Sequence, residues 1–414
     1  MAQLKFLSSI SIRIHTFDSF VFPDYRLLWL STTSASAGFW LQQVVIGWIT
    51  YSLTQSPLLT SLALSLDWVF AVAAPVGGIL ADRKDRGKLL ALSYVYQALL
   101  TMLLALIVFL GKLETWHVFV FITLVGLSWI VIDPARTALI SNVVPKKNLV
   151  NAFALNSLGF SATRMAIPVL GGALLAIAGT GMALMGEVIL QLIAAIVALK
   201  LPKVSTFRVN NSAPVSSFRA LMEAVEYIRN TPHLLFVVIL GTVPWVVVAP
   251  FTIGLMPVHA AEVFDVGPTG LGILLTAMGL GSALGTVTLA TLLEIRKKGL
   301  LVLVCIMLTV IAMVLFAKTS SVGIACLFLI IISGGMMVTT TITHATTQSL
   351  SINEFRGRVS GLNVAPSGLF PIGSLLAGGL AEYFGSSSAT LIGAGILLLV
   401  FVSIMLCSKS VWRF

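Results

Sequence analysis

Apolar positions along this chain neither alternate in twos nor form a narrow helical stripe with polar residues between. They run on for twenty residues and more, and short polar clusters separate the runs. An α-helix needs roughly 20 such residues to cross a hydrocarbon layer about 30 Å thick. Barrel strands would instead alternate over about ten residues. The pattern predicts twelve spans, at 26–53, 58–81, 88–110, 116–141, 150–178, 181–200, 233–257, 267–293, 299–317, 321–347, 358–384 and 387–408. The longest polar stretch, 201–231, leaves six spans on each side. The expected organisation is an all-α integral membrane protein. It has a leading segment (1–25), a six-helix bundle (26–200), a linker (201–232), a second six-helix bundle (233–408) and a short tail (409–414). Within the linker, Phe218, Leu221, Met222, Val225 and Ile228 fall at helical spacing and predict a short amphipathic helix over 216–229.

Composition strengthens this picture. Of 414 residues, 58% are hydrophobic and 10% charged, against about 25% charged in soluble domains. So much apolar surface does not fit inside one water-soluble core. The formal charge of +10 would suggest nucleic acid only if its distribution were ignored. All Lys and Arg except Lys112, Lys318 and Arg164 fall on the side that holds both termini. The positive-inside rule makes that side cytoplasmic, and an odd number of spans would scramble the asymmetry. Cys305, Cys326 and Cys407 lie in apolar runs without disulfide or metal spacing. Residues 1–24 lack the features of a cleavable leader. No nucleotide-binding loop, zinc spacing or nucleophile motif is present, so an enzyme is not expected and no cofactor, metal or partner chain is implied.

The halves resemble each other at an offset of about 207–212 residues. Asp82–Gly87 echoes Glu294–Gly299, Asn151–Asn156 aligns with Arg358–Asn363, and Gly171-Gly172 aligns with Gly378-Gly379. Two parallel repeats of six spans predict a substrate site between them near mid-membrane, opened to each side in turn. Two charges lie deep within spans. Asp67 is about 14 Å from the outer end of span 2 and Arg164 about 21 Å from the inner end of span 5, at 1.5 Å per residue. A charge at such depth costs at least about 2.5–3.5 kcal/mol and normally faces a partner or a water-filled cavity. An Asp67–Arg164 pair or shared cavity is therefore expected. Asp67 would exchange a proton and Arg164 would hold a polar or anionic group of the substrate; the alternative is a structural ion pair.

Two motifs go further. Between spans 2 and 3 stands Gly78-Ile79-Leu80-Ala81-Asp82-Arg83-Lys84-Asp85-Arg86. Gly78 allows close helix approach, and Asp82 can accept from free N–H groups at the start of a facing helix. In span 5 stands Ile167-Pro168-Val169-Leu170-Gly171-Gly172, where proline removes a backbone donor and the glycines permit tight packing. The first motif resembles the signature of the major facilitator superfamily, with Asp85 in place of the usual glycine. Further stretches resemble the enterobactin-exporter and macrolide-efflux-like branch. They are Tyr25–Trp29, Asp133–Ile140, Val144–Ala152 and Arg356–Val359. The resemblance implies a cytoplasmic gate formed by Asp82, Arg86, Asp133 and Arg136, supported by Gly78 and Arg83. It implies that spans 1, 4, 7 and 10 line the cavity, which makes Gln42, Gln43 and Trp245 candidate substrate contacts beside Trp40. Only one of the adjacent glutamines can face inward. Glu187 in span 6, nearer the outer face, is expected to be a snorkelling or structural group, and His344 in span 10 a packing residue. The span 5 motif resembles an exporter signature, with Ile167 where that signature has glycine. The implied function is proton-coupled export of a small siderophore- or drug-like molecule by a monomer in a bacterial-type inner membrane. An uptake permease, a lipid-moving relative and a non-transporting sensor are the alternatives.

Overall fold

The structure, a computed structural model, describes residues 17–73, 84–202, 217–291, 298–351 and 365–407. These residues are helical, with no strand among them. α1 (Pro23–Thr54) starts on a proline whose missing N–H costs nothing in a first turn, and it ends at Gln55 in the left-handed region. α2 (Pro57–Ala63) is capped by Ser56, whose hydroxyl accepts from Leu59 N at 3.2 Å, and continues as a 3-10 segment, Leu66–Ala73. α3 is Arg86–Phe109 and α4 is Thr115–Val143, with Pro134 inside it. The helical trace Leu149–Leu199 breaks at Gly179 (φ 79, ψ 175), which divides it into α5 (149–178) and α6 (180–199). Leu174 and Gly186 meet across this break, so the two legs fold back on each other. The expected linker helix is present at Ser217–Asn230.

The second half begins with α7 (Pro232–Val243). It continues through π turns at Pro244–Val248, Pro250–Gly254 and His259–Val263, so the span reaches Val263 and not the expected 257. Prolines 244, 250 and 257 account for the change: each removes a ladder donor, and a π turn takes up an extra residue. α8 (Gly267–Thr291), α9 (Lys298–Lys318) and α10 (Val322–Leu350) follow. α11 (Phe370–Phe384) is preceded by a 3-10 turn, Ala365–Leu369, and α12 is Ser386–Cys407. The parts of the expected spans 2, 8, 11 and 12 at 74–81, 292–293, 358–364 and 408 lie outside the described residues. Leu92, Leu99, Leu103 and Leu106 are exposed along α3, the mark of a helix whose outer face meets lipid.

Since lipid tails are as apolar as leucine, the helices are held by close contact and by polar bonds between them. α1 is joined to α5 by such bonds. Tyr25 Oη donates to Ala152 O (2.6 Å), Trp29 Nε1 to Leu155 O (2.8 Å), and Ser36 and Thr163 share a proton at 2.7 Å. Bonds of this kind contribute about 0.6 kcal/mol each on average in a bilayer.

The halves meet where α5 packs on α8 and where α2 packs on α11. Exchanging the halves converts one pairing into the other, as a twofold along the membrane normal requires. The φ 79 break at Gly179 has its counterpart at Gly385 (φ 80, ψ 157) between α11 and α12. Only glycine adopts this backbone readily. The two hinges fix the local repeat at 206 residues, so Gly172 corresponds to Gly378. Their surroundings agree: Gly172 meets Pro268 O and Gly272 across the halves, and Gly378 meets Leu58 and Pro57 O. Gly171 instead faces Leu41 of α1, and a side chain at Gly379 would meet nothing. The alignment of the glycine pairs read from sequence is thus off by one residue.

Candidate transport site

A chamber of about 170 Å³ lies among α1, α2, α4, α5 and the turn that opens α11. Its walls include Phe39, Asp67, Trp68, Trp129 and Phe160, and it extends to Asp133 and Arg136. Gly126 of α4 makes this geometry possible: its missing side chain lets Phe70 and the backbone of Asp67 come against α4. Phe39 stands edge-on to Trp68 (6.2 Å, 74°) and Trp129 (5.2 Å, 82°), giving a continuous aromatic wall.

Asp67 is 2% exposed. Gln43 Nε2 donates to its Oδ2 at 3.4 Å, and its Oδ1 has no partner among the described residues. Gln43 is therefore the glutamine turned toward α2. Gln42 is buried, with Nε2 unpartnered among the described residues. Arg164 does not pair with Asp67. Its guanidinium lies over the ring of Trp40, 5.1 Å from the centroid. Trp40 in turn packs on Phe39 (5.1 Å) and Phe160 (5.6 Å), both chamber residues. The expected ion pair fails because depth along a helix says nothing of azimuth. α2 presents Asp67 to Gln43 of α1 and to α4, whereas α5 presents Arg164 to Trp40. Trp245 is not in the chamber wall, but it packs on Trp68 at 5.3 Å and so supports that wall from the other half.

Among the gate residues, Arg136 and Asp133 form a salt bridge of 2.7 Å one turn apart on α4. The side chains are 24% and 43% exposed, so the pair contributes little to stability. Gly78, Asp82 and Arg83 lie outside the described residues, and Arg86 opens α3. Asp85 caps that helix, accepting from Gly87 N (3.0 Å) and Lys88 N (3.2 Å). A carboxylate at this position thus has a local reason, an N-cap on a helix end.

On the face away from the basic loops the halves are tied together. Tyr51 Oη donates to Glu262 Oε1 at 2.6 Å. Glu382 Oε2 accepts from Ser56 Oγ (2.8 Å) and from Leu58 N (3.2 Å) in the first turn of α2. Sequence reading missed these residues; acidic groups at the ends of spans 7 and 11, on the face poor in charge, were the available signal.

Deeper in, Pro168 lacks the N–H that would bond Arg164 O, and the Val169 N–H turns to Thr276 Oγ1 of α8 at 3.2 Å. Gly279 packs against Arg164 O and Gly272 against Pro168 O. Pro168 and Gly172 thus form a backbone-to-backbone contact between the halves, while Gly171 seats α1. Glu187 is fully buried between α3 and α6, away from the chamber, and accepts from Thr101 Oγ1 at 3.0 Å. His259, also unforeseen, lies in α7 between Leu255 O (3.0 Å) and Thr390 Oγ1 (3.4 Å).

Two helical groups related by exchange, with a chamber walled by the first and met by the opening turn of α11, and with cross-half contacts on one face, have the architecture that the resemblance to the major facilitator superfamily implies. Solved structures agree on the fold. A mutant of the nucleoside transporter NupG matches with TM-score 0.78 at 13% identity, covering 93% of this chain and 100% of that one. The bacterial homolog of the human lysosomal transporter Spinster, in its inward-facing and unoccupied conformation, matches with TM-score 0.69 at 16% identity, covering 94% and 95%. Within the superfamily, residues 14–411 match the family described as transmembrane secretion effector, and the chain belongs to that family. Macrolide efflux protein A of Streptococcus pyogenes is 23% identical over 356 residues, which cover 83% of this chain and 86% of the relative. The uncharacterised MFS-type transporter YfiS of Bacillus subtilis is 25% identical over 209 residues, 50% of this chain and 49% of the relative. The protein is a multi-pass membrane transporter and not an enzyme.

Proposed function

We propose that this transporter exports a small organic molecule across a bacterial inner membrane by alternating access, driven by inward proton flow. The basic face is cytoplasmic, both termini lie there, and the chain works as a monomer. The observation that carries the reading is the buried carboxylate of Asp67 in an aromatic chamber of the first half, which the opening turn of α11 meets from the second. Cross-half bonds at Tyr51–Glu262 and Ser56–Glu382 tie the opposite face, which fits a state closed to the outside. Export is supported by the similarity to a macrolide efflux protein, and the inside assignment by the distribution of Lys and Arg. In the cycle, Asp67 takes up a proton when the chamber faces outward and releases it inward. Asp133, Arg136, Arg86, Gly78, Asp82 and Arg83 close the basic face in the other state.

Proteoliposomes with an imposed pH gradient test this, screened over dyes, macrolides and siderophores. Accumulation of at least one compound should collapse when the gradient is removed and should be lost in Asp67→Asn. Uptake unaffected by the gradient would remove proton coupling, and no movement of any compound would leave a sensor as the better reading.

A further inference from the structure

We infer that the chamber selects a monocation with an apolar, ring-bearing body; this rests on its being the substrate site. Charge is the first argument. Among the described lining residues Asp133 and Arg136 neutralise each other at 2.7 Å. Asp67 is left as the uncompensated charge. It is 2% exposed, its Oδ2 accepts from the neutral amide of Gln43, and its Oδ1 is unpartnered among the described residues. A buried carboxylate in its ionised form calls for a counter-charge, because desolvation without one is expensive.

The wall is the second argument. Phe39, Trp68, Trp129 and Phe160 line the space around that carboxylate. Aromatic faces carry negative quadrupole density, so they attract a cation and repel an anion. Arg164 is not among the described lining residues. Its guanidinium lies over Trp40, which packs against Phe39 and Phe160. α1 contributes Phe39 to the wall and no charge, and the α11 turn contributes Ser367. The Trp129 indole N–H, also without a partner among the described residues, is a neutral donor suited to an ether or carbonyl oxygen on the same ligand. Size is the third argument. A volume of about 170 Å³ suits one ring with a compact ammonium head; an engineered cavity of about 150 Å³ holds benzene.

The test is binding to the purified full-length protein in detergent, which depends neither on direction nor on energy source. Three probes of one shape differ in charge: benzyltrimethylammonium, its neutral isostere neopentylbenzene, and phenylmethanesulfonate. Tryptophan fluorescence or calorimetry should show the cation binding at least about tenfold tighter than the neutral probe, the scale of one or two cation–π contacts with a charge. In Asp67→Asn that preference should vanish while affinity for the neutral probe stays. Should the variant fail to fold, carbodiimide labelling of Asp67 in the wild type, read by mass spectrometry, serves instead; the cation should protect it and the neutral probe should not. Equal affinity for all three probes overturns the inference. So does tightest binding by the sulfonate with loss in Arg164→Gln, and so does protection by the neutral probe alone. Cation-selective binding without gradient-driven transport would sink the export reading and leave this one standing.

Discussion

Glu382 offers the sharpest test of how the halves are held. Replacing it with alanine removes two bonds at once, from Ser56 Oγ at 2.8 Å and from Leu58 N at 3.2 Å. The second is a free donor in the first turn of α2, so Glu382 acts as a cap supplied by the other half. A lost cap costs about 0.5–2 kcal/mol, and a bond to a charged acceptor about 1.5–3 kcal/mol where buried. Glu382 is exposed, so the lower ends apply, and about 1–2 kcal/mol is a fair sum. That shifts the equilibrium between the two conformations by about 5–30-fold. Spin labels at Lys112, in the connection after α3, and Lys318, at the end of α9, both exposed on the tied face, report the separation by electron–electron distance measurement. Cys305, Cys326 and Cys407 must first be replaced. Glu382→Ala should move population to longer distances, Glu382→Gln by less, and Tyr51→Phe by the share of its single bond to Glu262. High salt should shrink the difference between glutamate and glutamine, since the carboxylate is accessible to counterions. Identical distance distributions for wild type and Glu382→Ala would refute the reasoning.

Other outcomes follow from the same geometry. Gly272→Val drives a side chain into Pro168 O and the backbone around it, which has no rotamer to yield. The α5–α8 contact should lose about 1–3 kcal/mol, seen as a lower Tm in detergent. Gly179→Ala and Gly385→Ala should each cost about 1–3 kcal/mol through backbone strain, although the added carbon would meet no atom within 4 Å; an unchanged Tm would contradict this. Thr101→Val takes a donor from the buried carboxylate of Glu187. It should destabilise by about 1–3 kcal/mol in thermal unfolding, and Glu187→Gln in the same background should recover part of the loss.

Much of the fold was legible because lipid imposes it. With no water to satisfy the backbone, long apolar runs have to be helices, and their number and basic loops follow from hydropathy. The linker helix was legible for a related reason, its apolar residues returning at helical spacing. Pairings between helices were not legible. Asp67 and Arg164 sit at matching depths, yet each finds a neutral partner, Gln43 and Trp40, because hydropathy carries no azimuth. Glu187 looked close to one surface but is enclosed by α3 and α6, since helix contacts and not linear position decide burial. The glycine alignment slipped by one residue because a repeated Gly-Gly pair fits two registers, which the φ values at Gly179 and Gly385 and the contacts of Gly172 and Gly378 distinguish.

Those two glycines have a mechanical consequence. Each is the whole connection between a helix that touches the other half and a helix at its back: α5 to α6, and α11 to α12. A one-residue joint has no slack, so when α5 tilts on α8 its neighbour must tilt with it, and α12 must follow α11. Tags, protease sites and antibodies aimed at that surface will find nothing to grip at either joint, and the turns around Lys112 and Lys318 are where such probes should go.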